Sequence, residues 1–176
     1  LRGCGVSSVV TTTAGAEKVT YVGTDTHESM TLYLCQQNGP TLQLTGGHGT
    51  FDITADAGNV GVATFSYEAR LDKEADVTFV SGTPSPTPAY PTLKSAAFQI
   101  STENYAARLQ RAAFAIGNQI GEIPDQNDAA AIAGVIIGDR DPRLTLDPEA
   151  ASIATMPWFT KWKAGTLMDC TYQIGT

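Results

Sequence analysis

Apolar runs in this chain are short, rich in β-branched residues and closed by Gly, Pro or Asn. That rhythm limits what it can fold into more than any other feature. Branched side chains suit the pleated surface of a strand, and the turn residues between runs supply the reversals. Residues 6–13 and 18–24 are expected to be extended, with a turn at Ala14-Gly15-Ala16. Met30 to Gln36 sets Leu32 and Leu34 against Tyr33 and Cys35; Gln37-Asn38-Gly39-Pro40 then turns the chain and Thr41 to Thr45 returns as a hairpin. Gly46-Gly47 is expected to end that strand. Gly49 to Asp56 and Val60 to Leu71 come next, the second with Ala63, Phe65 and Tyr67 on one face. Further strands are expected at 77–80, 95–101, 109–116, 131–138 and 166–174. Gly117-Asn118 reads as a stop and Glu122 to Asp128 as an acidic loop. The spacing predicts one mainly β domain over 1–176, an antiparallel β-sandwich or partly open barrel with one flanking α-helix.

Two stretches break the rhythm. From about 82 to 93 the chain holds Pro84, Pro86, Pro88, Tyr90 and Pro91. So many prolines forbid regular strand pairing and favour a stiff extended segment, read here as a linker between sheets and as an arm that docks on a neighbouring subunit. The second stretch follows the apolar run that Gly138-Asp139 closes. Pro142 marks a break, and Leu144 and Leu146 lie on one face of a resumed strand. Asp147 can cap a first turn, Pro148 suits the first helical position, and Glu149 suits the positive end of a helix dipole. The expected helix runs to about Thr155, before Pro157. A second short turn carries Trp158, Phe159 and Trp162 toward a stop at Gly165. Both tryptophans of the chain lie there, as a helical plug over the β-core or as an aromatic platform for sugars or nucleobases.

Composition narrows the function. Of the 176 residues 42% are hydrophobic and only 16% charged, which points to surface covered by copies or partners. A net charge of −7 with no basic cluster argues against binding a nucleic-acid duplex. Cys4, Cys35 and Cys170 cannot all pair, and none has metal-site spacing, so buried reduced thiols are expected. His48 sits in a Gly-rich loop that precedes a strand rather than a helix, so it is no phosphate cradle; the other histidine is His27. Asp125, Asp128, Asp139 and Asp141 do not follow a calcium-loop pattern. The reading is therefore no catalytic residues, no cofactor and no metal site. No apolar run is long enough to span a membrane, and no signal peptide is evident. The first residue is Leu1 rather than Met, which leaves a preceding segment open.

Five segments in register resemble the tail tube and related tail proteins of long, flexible-tailed phages. They are Leu1 to Gly5; Met30 to Leu34 with Leu44 to Asp52; the Pro-rich connection 84–91; Gly134 to Arg140 leading into Leu146 to Ala150; and Trp162 to Thr166. His48 stands where the family pattern has Arg, and Gly3 where it has Ala. The resemblance implies a virion protein assembled in the host cytoplasm, not an enzyme. It implies a small β-sandwich whose copies form hexameric rings, stacked into a hollow tube through which DNA passes without specific binding. Its partners would be other copies of itself and tail proteins such as the tape measure and the tail tip. Another ring of the tail, such as a tip, terminator or neck component, and a carbohydrate-binding β module using Trp158 and Trp162 are the alternatives.

Overall fold

A computed structural model describes residues 1–12, 18–36, 39–75, 97–100 and 105–173. The expected strand at 77–80 and the whole arm with Pro84, Pro86, Pro88, Tyr90 and Pro91 lie outside these residues. The fold is mainly β, with antiparallel pairing and one α-helix. The chain divides into two compact units, Leu1–Asp52, Thr64–Pro86 and Ala115–Arg143 in the first, and Ile53–Ala63, Thr87–Phe114 and Leu144–Thr176 in the second.

The first unit opens with a 3-10 turn, Arg2–Cys4, followed by β1 (Val6–Thr11) and β2 (Lys18–Gly23), which pair with Val10 opposite Val19 and Ser8 opposite Tyr21. β3 (Met30–Cys35) pairs with β4 (Thr41–Asp56), the longest strand at 16 residues. Gly46-Gly47 does not end β4, contrary to the sequence expectation. Gly46 takes φ +65, and the β3 register shifts between Met30 and Leu32, so a bulge absorbs the irregularity and the ladder continues. β5 (Val62–Ala75) pairs with β4. Phe51 and Phe65 pack at 5.8 Å, and Phe65 stacks parallel to Tyr67 two residues on, as strand alternation requires.

The second unit holds the last residues of β4, β6 (Ala97–Ile100), β7 (Leu109–Ala115), β10 (Arg143–Pro148), α1 (Trp158–Ala164) and β11 (Cys170–Gln173), while the first holds β8 (Asn118–Pro124) and β9 (Ile132–Arg140). β7 runs beside the end of β4, where the Ala57 N–H donates to the Gln110 carbonyl at 3.0 Å, and β10 lines the other edge of β7. Phe98, Ile100 and Met156 form the core here, with Leu109, Leu146, Trp158 and Tyr172 packed against them.

Two sequence expectations fail for physical reasons. Gly117-Asn118 does close the preceding strand, since β7 stops at Ala115, but the acidic loop expected from Glu122 is strand as far as Pro124. β8 starts at Asn118 and makes a hairpin with β9, Ile120 opposite Ile137 and Glu122 opposite Val135. The acidic loop shrinks to the residues after Pro124, where the Asp125 and Asp128 carboxylates each accept a local backbone N–H at 2.8 Å. Asp147 and Pro148 do not start a helix but end β10. Leu146 packs into both hydrophobic clusters of the unit, and the Glu149 N–H donates to the Arg108 carbonyl at 2.9 Å. That burial and pairing outweigh a cap signal worth only about 1 kcal/mol. Pro148 has no N–H to contribute, so the last position of an end strand suits it. A single turn survives at Ser152–Met156, and the helix forms only beyond Pro157, closed by Gly165 as expected.

A buried polar knot holds the first unit together. The Asn118 amide donates to the Cys4 and Gly49 carbonyls, each at 2.8 Å, and its oxygen accepts from Arg140 Nε at 3.0 Å. Arg140 also donates to the Gly5 carbonyl at 2.9 Å. Gly117 takes φ +64 to deliver Asn118, and a Cβ there would collide with the Asp141 carbonyl. Asn118→Ala strips two buried carbonyls and a guanidinium of their partner, so it should lower unfolding free energy by roughly 3 kcal/mol in urea titration. Gln119→Ala, at an exposed neighbouring position, should stay within about 0.5 kcal/mol of the parent.

Candidate functional site

In the first unit His27 and His48 meet edge to face at 6.4 Å. His48 is buried on β4 between Gly47 and Gly49, and its Nδ1 has no partner. Burial holds its pKa below the usual histidine range, His27 lowers it further, and a backbone bond with Gly3 works the other way. Nearby, the Cys4 thiol donates to the Tyr67 hydroxyl at 3.5 Å. Burial and then that bond push the Tyr67 phenol up to about 12, so it stays protonated at neutral pH. His48 is buried and Tyr67 half-buried, and both are neutral at neutral pH.

The acidic residues singled out in the sequence are each engaged locally. Asp128 pairs with Arg70 at 2.7 Å, the Arg140 N–H donates to the Asp139 carboxylate at 2.8 Å, and Asp141 pairs with Arg143. Among the described residues no group of three or more His, Cys, Asp or Glu could hold a metal ion. Of the three thiols only Cys4 is buried; Cys35 and Cys170 are exposed, and none forms a disulfide. The expectation of buried thiols therefore holds for Cys4 alone, because Cys35 and Cys170 fall on outward positions of β3 and β11.

What the structure does display is unfinished surface. Among the described residues only eleven apolar side chains are buried, while eighteen large ones are exposed, the reverse of what a self-sufficient core needs. They concentrate on strands that lack a second neighbour among the described residues. Within those residues β1 and β2 pair only with each other and expose Val9, Val10, Val19, Tyr21 and Val22. β3 there pairs only with β4 and exposes Tyr33 and Leu34; β5 likewise pairs only with β4 and exposes Val62, Phe65 and Leu71. An open edge carries a row of unpaired N–H and C=O groups, and with apolar side chains beside it that row is a template for another strand.

The second unit presents a different feature. Trp158 is anchored on the Phe98, Ile100 and Met156 cluster and meets Tyr105 edge to face at 6.1 Å. One turn on, Trp162 is 77% exposed and Phe159 80%, and α1 buries none of its residues. Of the helix only Trp158 packs on the core, so the expected plug reduces to a single ring. The rings of α1 line an apolar groove of about 610 Å³ together with Lys161, Gly165, Thr166 and Met168.

Of the residues picked out from the sequence, the structure brings Trp158 and Trp162 together on α1 and sets Asp147 and Pro148 apart on β10. Sequence reasoning missed Met168 as a wall of the groove and Leu167, which is 93% exposed beside it. The signal available was the Gly165 stop, which turns the following residues back along the helix. It missed the Asn118–Arg140 knot altogether. Comparison with protein-family models, with curated proteins and with solved structures finds no match.

The buried histidine gives a pH dependence with a definite sign. His48 is neutral in the folded protein, and its folded pKa lies below the unfolded value of 6.5. Its stability contribution is thus fully present above that unfolded value and is lost as pH falls below it toward the folded pKa, where the unfolded chain binds the extra proton. The urea midpoint should drop between pH 7.5 and pH 5.5, and His48→Gln should flatten that drop.

Proposed function

We propose that this chain is a structural virion protein whose copies form hexameric rings, stacked into the hollow tail tube of a long, flexible-tailed phage. One observation carries the reading: β1, β2, β3 and β5 leave edges without a strand partner among the described residues, and those edges are flanked by exposed apolar side chains. Copies of the same chain can complete such edges, and a closed ring leaves none over. The five-segment resemblance to tail tube proteins names the assembly this physics fits. In that setting the chain does no chemistry. Its net charge of −7 lets DNA move along a lumen without being held by phosphate contacts. The partners would be other copies, the tape measure and tail-tip proteins, and the place would be the virion tail. No described helix is long and apolar enough to cross a membrane.

A carbohydrate-binding β module is the second reading, favoured by the exposure of Trp162 and Phe159 alone. Stacking of sugar on an aromatic face would need no assembly at all.

Negative-stain microscopy of the purified chain at rising concentration separates the readings. Tubes or stacked rings are expected; particles that stay monomeric at every concentration would sink the tail reading. Val10→Lys places a charge on the exposed β1–β2 ribbon, where the side chain is 59% exposed. Unfolding free energy should change by about 0.5 kcal/mol or less, yet tubes should disappear, because a charge buried at a copy–copy contact has no partner.

A further inference from the structure

We propose that the aromatic groove of α1 is the docking site for the proline-rich segment 84–91 of a second copy of this chain. The inference deepens the self-assembly reading and rests on it. On the groove side, Trp158 is fixed by the cluster beneath it, so the groove has a rigid floor. Trp162 and Phe159 stand open beside it, and its lining holds no acidic residue and one basic one, Lys161. Rigid aromatic rings that give up little entropy on contact are the usual anchors of an interface.

The occupant is chosen by the chemistry of the sequence. No charged residue occurs over the 17 residues from Val77 to Leu93, in a chain with 29 charged residues (11 basic and 18 acidic). An apolar groove strips water from whatever enters it, and a neutral segment suffers least from that. Pro88-Ala89-Tyr90-Pro91 has the Pro-x-x-Pro spacing, and prolines three apart fall on one edge of any polyproline II helix. Segments of that kind bind grooves lined by aromatic rings, and their fixed φ angles reduce the entropy lost on docking. Tyr90 adds a ring and a hydroxyl to the same stretch. Copy-to-copy docking of this segment would tie neighbouring subunits by a contact separate from the strand edges.

The test is a fluorescein-labelled peptide spanning Gly82 to Leu93, titrated into the dilute full chain and followed by anisotropy. Saturable binding is expected. Trp162→Ala, at an exposed position that leaves the core intact, should weaken it about tenfold or more, as should replacing Pro88 and Pro91 of the peptide by Ala. Absence of binding, or affinity indifferent to Trp162→Ala, overturns the proposal. So does binding of a neutral oligosaccharide that Trp162→Ala abolishes while the peptide stays unbound. Sedimentation at high concentration keeps the two readings apart. Tubes without peptide binding remove the groove assignment only. Peptide binding by a chain that never assembles removes the tail reading and leaves the groove with its ligand.

Discussion

Asn118 gives its side-chain amide to two backbone carbonyls that lie 45 residues apart in the chain, those of Cys4 and Gly49, and its oxygen to Arg140. The first unit depends on that arrangement. Its strands are joined in small sheets with few buried side chains between them, so apolar contact alone specifies their mutual placement weakly. A buried amide cannot slide by one residue without leaving carbonyls unpaired, at a cost of about 1–3 kcal/mol each. Arg140 extends the same constraint to the Gly5 and Thr24 carbonyls. The turn at the start of the chain, β4, β8 and β9 are thereby pinned in one register.

A chain organised by polar knots and long hairpins spends its apolar side chains differently from one organised by a core. The ribbon of β1 and β2 has valines facing both ways, and β5 carries Phe65 and Leu71 at roughly half exposure. In an isolated subunit those residues would be a liability, since flat apolar edges recruit other chains indiscriminately. They become an asset where the recruited chain is a copy of defined register. The polar knot matters for this reason too: edges presented at a fixed height can be matched by an identical subunit, whereas edges that slip cannot.

The strands were legible in the sequence because alternation and turn residues are local signals. Leu32, Leu34, Phe51 and Phe65 read correctly without any knowledge of their partners. β8 was hidden because Gly117-Asn118 is written like punctuation, and the use of Asn118 depends on carbonyls 69 and 114 residues away. Asp147-Pro148-Glu149 misled for the converse reason: it is a good local helix start, overruled by where Leu146 is buried. In the candidate site the tryptophans announced themselves by being the only two in the chain. Their division of labour did not, since whether a ring is anchor or surface turns on Phe98, Ile100 and Met156, which come from distant parts of the sequence.

Charge completes the physical picture. Two chains carrying −7 each repel one another, but at physiological salt that repulsion fades beyond a Debye length of about 8 Å. Apolar contact acts only where surfaces touch, and it grows with the area covered. One edge meeting one edge therefore gains little against the repulsion of the nearest acids. In the proposed assembly, several contacts made at once, on edges and on the α1 groove, would gain in proportion to the area covered. An acidic subunit with several modest apolar faces would then be biased against pairing loosely and toward an arrangement that satisfies all of its faces together.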